Sequence, residues 1–183
     1  MLTPLQTKKL TNLFKLYDTD GNGHLDESDY VRVAQNAANA IGYQPGTAEY
    51  NTLYTSYMGI WQGVRQLADP NNTGQLTQAT FLTGYANLIS QKELFGAVIL
   101  GMAKTMIELQ DRNKDGKVEQ DEHVAYAMAH NISHAAALES FRRLDRDGDG
   151  YLTRTELEQN IEEFFVSDDP AAPGNWLLGS FEG

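Results

Sequence analysis

The sequence predicts an all-α protein built from repeated helix–loop–helix units joined in pairs. Three observations predict it. First, the twelve-residue stretches 18–29, 111–122 and 145–156 place oxygen-bearing side chains at alternate positions around a glycine at the sixth. They begin Asp18-Thr19-Asp20-Gly21-Asn22-Gly23, Asp111-Arg112-Asn113-Lys114-Asp115-Gly116 and Asp145-Arg146-Asp147-Gly148-Asp149-Gly150. Second, each stretch is flanked by apolar residues at helical spacing. Third, a further stretch, 69–80, keeps the frame while losing most of its charge. Asp, Asn and Gly crowd together in ordinary turns, but copies in register at this spacing form an internal repeat.

The elements follow in order. Thr3-Pro4-Leu5-Gln6 reads as a capping box with proline in the first helical turn, and Leu10, Leu13, Phe14 and Tyr17 run as one stripe into Asp18. Beyond the first loop, Tyr30, Val33, Ala34, Ala37 and Ile41 form the exit stripe, and Gly42 suits a left-handed stop. After the turn at 43–46, Tyr50, Leu53, Tyr54, Tyr57, Trp61, Val64 and Leu67 make a strongly amphipathic helix. The stretch 69–80 follows, then an exit helix with Phe81, Tyr85, Leu88 and Ile89. The next helix, 92–110, is apolar nearly all round and is therefore expected to be buried, with the two halves packed into one compact body. Val124 to Met128 form the third exit helix, Ser133 caps the fourth entry helix with Leu138, Phe141 and Leu144 inward, and Thr153 and Glu156 can form a capping box before Leu157, Ile161 and Phe164. Residues 1–90 thus form one pair, 91–166 a second, and 167–183 a tail. That tail carries Trp176, Leu177, Leu178 and Phe181, so much apolar area that docking on the body is expected.

Oxygens at loop positions one, three, five, seven, nine and twelve, with glycine at six, are the ligand pattern of an EF-hand calcium loop. Position seven contributes only its backbone carbonyl. The third loop offers Asp111, Asn113, Asp115, Lys117, Glu119 and Glu122, and the fourth Asp145, Asp147, Asp149, Tyr151, Thr153 and Glu156. Each ends in a glutamate long enough to bind bidentately. The first loop offers Asp18, Asp20, Asn22, His24, Asp26 and Asp29. Its last ligand is one methylene shorter, so a site that admits magnesium beside calcium is expected. Loop 69–80 keeps Gly74 and Leu76 but ends in Thr80, so it is expected to hold no metal and to serve pairing: Leu25 with Leu76, and Val118 with Leu152, in short antiparallel bridges. About three Ca2+ ions are expected in all.

Charge agrees. The formal net charge is −11, and the three acid-rich loops, with 14 acids against 5 bases, account for −9 of it. Acidity confined to short turns points to a cation binder. No basic stripe exists for nucleic acid, and no apolar run reaches the roughly 18 residues of a membrane span. There is no cysteine, hence no disulfide framework or thiol nucleophile. Together with the absence of an apolar leader, this suggests the cytoplasm. A monomer is expected. His130 and His134 have ligand-like spacing, but the break at 131–133 makes them read as surface histidines; Glu162 and Glu163 are adjacent and point apart. No nucleophile, phosphate loop or acid–base constellation is found, so no enzymatic activity is expected.

The loops at Asp111 and Asp145, the Asp18 loop, the degenerate second unit and uneven loop intervals of 51, 42 and 34 residues resemble the sarcoplasmic calcium-binding protein and calerythrin group. So does the tail Pro173 to Phe181, which is similar to those of bacterial members. Departures are Asp29 and Gln110, where an apolar residue usually precedes the loop. The resemblance implies a compact calcium buffer. Scattered methionines (58, 102, 106 and 128) speak against the groove of a sensor. Two alternatives stay open: a sensor that exposes an apolar groove, and a carrier of an apolar ligand held by residues such as Trp61, Tyr85 and Phe141, as in the related luciferin-binding proteins.

Overall fold

The computed structural model describes residues 1–179, and the chain divides into two units, Met1–Lys92 and Glu93–Gly183. Phe181, expected in the docking tail, lies outside the described residues. No helix among them is long and apolar enough to cross a membrane.

The N-terminal unit runs α1 (Pro4–Tyr17), β1 (His24–Leu25), α2 (Glu27–Ile41), α3 (Ala48–Ala68), β2 (Leu76–Thr77) and α4 (Gln78–Ser90). Its boundaries are chemical. The Thr3 side chain accepts from Gln6 N and the Gln6 side chain accepts from Thr3 N, which satisfies two of the free donors at the start of α1. Gly42, at φ 81°, closes α2 with its N–H on the last carbonyls. Leu25 pairs with Leu76 across the β1–β2 bridge, and both side chains are fully buried. Each such burial contributes about 1.5–3 kcal/mol, so the second loop contributes to the core through Leu76 whatever its side chains bind. Around the bridge the core is aromatic: Phe14 meets Phe81 edge-on at 5.5 Å, Tyr17 stacks on Tyr30 at 4.6 Å, and Tyr30 leans on Trp61 at 5.1 Å. The helices α3 and α4 cross at Gly84, where a Cβ would lie 2.8 Å from both Ala68 Cβ and Leu67 O.

The C-terminal unit runs α5 (Lys92–Gln110), β3 (Val118–Glu119), α6 (Gln120–Ala129), α7 (His134–Leu144), β4 (Tyr151–Leu152), α8 (Arg154–Val166) and a 3₁₀ turn, Pro173–Trp176. The expectation for α5 needs correction. It buries Phe95, Ile99, Ala103 and Leu109, but Leu94 and Leu100 stand 46% and 47% exposed. An apolar composition all round did not mean burial all round, because only one stripe of the helix meets the core. In α7 the buried positions are Ala137, Ser140, Phe141 and Leu144, with Leu138 only partly covered. Val118 pairs with Leu152 in the β3–β4 bridge, and Phe165 packs edge-on against both Phe95 and Phe164.

The tail turns back onto α8 and α7. Gly174 N donates to Glu163 Oε2 (3.0 Å), Ser140 Oγ donates to Trp176 O (2.7 Å), and the Arg143 guanidinium lies over the Trp176 ring at 5.1 Å. Leu177 is buried and Trp176 half-buried. The approach is close enough to demand glycine: a Cβ on Gly174 would lie 2.3 Å from Asn160 O and 2.6 Å from Glu163 Cβ.

Candidate metal centres

All four loops share one frame. In each, the N–H of the sixth-position glycine donates to Oδ2 of the first-position aspartate: Gly23 to Asp18 (3.0 Å), Gly74 to Asp69 (2.8 Å), Gly116 to Asp111 (2.8 Å) and Gly150 to Asp145 (3.0 Å). Those glycines lie at φ 75–90°, a left-handed region that other residues enter only with strain. Side chains at positions three and five then accept from N–H groups two residues on, in Asx turns. Asp20 takes Asn22 N and Asn22 takes His24 N; Asn113 takes Asp115 N and Asp115 takes Lys117 N; Asp147 takes Asp149 N and Asp149 takes Tyr151 N. The chain is wound so that alternate side chains point inward, which is the local reason why the spacing matters.

The twelfth positions separate the loops. Glu122 is buried and accepts from Arg112 N (2.7 Å), Asn113 N (3.3 Å) and Glu119 N (3.1 Å). Glu156, also buried, accepts from Arg146 N (2.9 Å), Thr153 N (2.9 Å) and Thr153 Oγ (2.7 Å). Asp29, with no exposure at all, accepts from Thr19 N and Thr19 Oγ (3.2 Å each) and Asp26 N (3.0 Å). It also takes an ion pair from Arg32 at 2.6 Å. Thr80 has only a hydroxyl, which donates to Thr77 O (2.9 Å) and so merely closes the α4 cap.

The structure brings some expected ligands together more tightly than others. Carboxylate oxygens of Asp18, Asp20 and Asp29 lie within 4.8 Å of one another, as do those of Asp145, Asp147 and Asp149. Among the described residues Asp111, Asp115, Glu119 and Glu122 form no such trio; Asn113 takes the third position, with Nδ2 3.3 Å from Asp115 Oδ2. A divalent cation fits the first loop on a specific observation: Asp18 Oδ1 is buried with no hydrogen-bond partner, and a buried anionic oxygen in that condition is costly unless a cation meets it. His24, Lys117 and Tyr151 stand at the seventh positions, where only the carbonyl is offered.

Protonation follows the local surroundings. Burial, joined by the like charges of Glu122, Asp115 and Asp121, pushes the Glu119 carboxyl up. For Glu156 burial acts upward, but hydrogen bonds from Thr153, Arg146 and Asp147 outweigh it and hold the carboxyl below its usual range. The Ser28 hydroxyl bond, with smaller help from Arg32, does the same for Asp26.

Two groups escaped the sequence reading. The first is Arg32, on α2. The second is a buried polar chain behind the third loop: the amide of Gln110 lies 3.0 Å from His123 Nδ1, His123 Nε2 lies 3.1 Å from Ser140 Oγ, and Ser140 Oγ holds Trp176 O. Hydrogen counting orients it. Ser140 has one hydrogen, given to Trp176, so His123 Nε2 must donate to Ser140 and Nδ1 must accept. Burial, which pushes the His123 ring down to about 4, keeps it neutral with that single N–H. Gln110 must then turn its NH2 to the ring, which gives its otherwise unpartnered Nε2 an acceptor. The polar residue before the third loop thus belongs to a chain that ends on the tail. The only sequence signal was Gln110 itself. His130 is a correction: it is buried rather than superficial, with Nδ1 2.9 Å from Tyr126 O, while His134 is exposed at the start of α7.

Comparisons with known proteins agree with this geometry. Residues 138–161 match the EF hand family and residues 1–37 the EF-hand domain pair. The chain is 32% identical to calerythrin of Saccharopolyspora erythraea over 90% of its own length and 94% of that protein's. It is 24% identical to sarcoplasmic calcium-binding protein 1 of Astacus leptodactylus, covering 90% of each. In structure it is similar to the coelenterazine-binding protein of Renilla muelleri, with a TM-score of 0.79, 18% identity, and 98% and 99% of the two chains covered.

Proposed function

Because the chain belongs to the calerythrin and sarcoplasmic calcium-binding protein family of EF-hand proteins, we propose that it is a calcium buffer with three sites. The second loop, 69–80, is silent in this reading. The observation that carries the count is the twelfth position: Asp29, Glu122 and Glu156 are buried carboxylates, and Thr80 is not a carboxylate. Glu122 and Glu156 would hold the ion through both oxygens, with Asp111, Asn113, Asp115 and Glu119 in one loop and Asp145, Asp147, Asp149 and Thr153 in the other. Bound calcium supplies electrostatic cross-linking of each loop and no chemistry beyond it. In the first loop Asp18, Asp20, Asn22, Asp26 and the shorter Asp29 favour a smaller coordination number, so magnesium competes there.

Buffering, rather than signalling, is supported by the tail, which already covers part of α7 and α8 with residues of the chain itself. A calorimetric calcium titration with and without magnesium tests the proposal. Three calcium ions, one of them displaced by magnesium, are expected; two or four would contradict it. A large calcium-dependent rise in binding of an apolar dye would favour a sensor instead.

One observation favours a second reading, transport of an apolar ligand. Tyr30 Oη and Trp61 Nε1 are buried without hydrogen-bond partners in the aromatic core of the N-terminal unit, where Tyr85 packs on Phe81 at 4.7 Å. A ligand with an acceptor group would satisfy them. Saturable quenching of tryptophan fluorescence by an apolar heteroaromatic compound tests this, and its absence removes the reading. Phe141, named with Trp61 and Tyr85, lies in the C-terminal unit against His123.

A further inference from the structure

Every nitrogen of the Arg32 guanidinium is engaged at the first loop. Nε donates to Thr19 Oγ (2.7 Å), one terminal nitrogen to Ser28 Oγ (3.0 Å), and the other to Asp20 Oδ2 (3.0 Å) and Asp29 Oδ1 (2.6 Å). Asp20 and Asp29 are the third- and twelfth-position ligands. Thus one planar, permanently charged fork spans two carboxylates that a divalent cation would need.

The other acid-rich loops have nothing comparable among the described residues. The residue three places beyond the last ligand is Ala125 in the third unit and Gln159 in the fourth. Arg112 pairs with Asp121, Arg146 with Glu163 and Arg154 with Glu158, none of them a ligand-position acid. All three loops place four acids at ligand positions: Asp18, Asp20, Asp26 and Asp29; Asp111, Asp115, Glu119 and Glu122; Asp145, Asp147, Asp149 and Glu156. With equal charge in the ligands, the electrostatic difference among them is the neighbouring cation. Length explains its place. Asp29 meets the N–H of the second loop position at 3.2 Å, where the longer Glu122 and Glu156 meet theirs at 2.7 and 2.9 Å. The side chain one methylene short makes the weaker backbone bond, and the guanidinium supplies the strong one.

We infer that Arg32 is the internal counter-ion of the first site and sets its affinity. It holds Asp20 and Asp29 while the loop is metal-free, and a calcium ion must displace it from both. Binding there therefore includes the loss of two ion pairs, and the first site is weaker than the third and fourth for a reason beyond the short Asp29. The same pairing braces the empty loop, so the metal-free N-terminal unit is more stable with Arg32 than without it. This inference rests on the proposal that the first loop binds calcium.

The test is a calcium titration of the full chain and its Arg32→Gln and Arg32→Lys variants. The sixth-position glycine amides (Gly23, Gly116 and Gly150) are followed by NMR so that each loop reports separately. Arg32→Gln should tighten the first site about tenfold at low ionic strength, with a smaller gain at high salt, and leave the other two unchanged. Arg32→Lys, which keeps the charge but loses the fork, should fall between. Thermal unfolding supplies the independent readout. Arg32→Gln should lower the metal-free midpoint and leave the calcium-saturated midpoint unchanged or raised, whereas a merely structural arginine would lower both. Three sites in every variant with unchanged or weakened first-site affinity overturns the role of Arg32 and leaves the three-site proposal standing. Two sites in the wild type and three in Arg32→Gln supports the role and corrects the count. Two sites in both overturns both.

Discussion

The N-terminal and C-terminal units use the same loop frame and treat its charge in opposite ways. In the N-terminal unit both loops carry an arginine on ligand-position acids: Arg32 on Asp20 and Asp29, and Arg65 on Asp69 at 3.8 Å, with a further bond from Arg65 to Asn72. In the C-terminal unit no such pair occurs among the described residues, and the twelfth-position glutamates rest on N–H groups of their own loop with one hydroxyl. Loop geometry and loop charge are therefore separable. The frame comes from glycine and the Asx turns; whether the frame attracts a cation depends on what else sits beside its carboxylates.

That contrast can be broken by experiment. The largest effect expected is at the last ligands. Glu122→Gln or Glu156→Gln should each weaken calcium binding at its own loop by at least about a hundredfold, the upper range for losing an outer partner of a metal ligand. Asp29→Asn should cost the first loop markedly less, since that carboxylate is already shared with Arg32. Site-resolved titration decides, and equal losses would abolish the distinction between the units.

Next comes packing at two glycines, one in each unit. Gly174→Ala should destabilise the C-terminal unit by about 1–3 kcal/mol through overpacking against α8. Gly84→Ala meets a similar obstruction from α3, but alanine regains up to about 1 kcal/mol of helix propensity, so its loss should be smaller. Chemical denaturation of the metal-free variants measures both. A Gly174→Ala protein as stable as the wild type would mean the tail is not held where the structure puts it.

An effect of similar size to that of Gly174→Ala is expected from Ser140→Ala. It removes the bond to Trp176 O and leaves His123 Nε2 buried without its acceptor, a cost of about 1–3 kcal/mol confined to the C-terminal unit. Unchanged C-terminal amide exchange would deny the polar chain any part in docking the tail. The least effect concerns pH. Burial pushes the His130 ring below its ordinary value, with the Tyr126 carbonyl opposing. The unfolded chain therefore takes up the proton first, and the stability contributed by the neutral ring is present at neutral pH and declines as pH falls through about 6.5. His130→Gln should flatten that part of the metal-free stability profile, and an unchanged slope would exclude His130 as its source.

Much of this was legible in the residues alone because it is local. The cap at Thr3, the left-handed stop at Gly42, the cap and capping box at Ser133 and Thr153, and the bridge partners Leu25–Leu76 and Val118–Leu152 each depend on residues at fixed offsets in a repeat. The inward winding of ligand positions is of the same kind, since it needs only glycine at six and short acceptors at three and five. Where composition stood in for packing, the reading failed: α5 is apolar but one-sided, and His130 is polar but buried. Neither burial is set within its own helix.

Pairing across turns of chain depends on the tertiary fold. An arginine three residues past a loop reads as an i,i+3 partner of Asp29 on α2 and no more, until the loop folds against the helix and brings Asp20 and Thr19 onto the same fork. A glutamine before a loop is an anomaly until His123 meets its amide and passes the chain on to Ser140. Hydrogen bonds form only at contact distance and ion pairs weaken with separation and screening, so spacing along the chain sets the repeat and its ligand frame, while the fold sets which of those ligands already hold a partner.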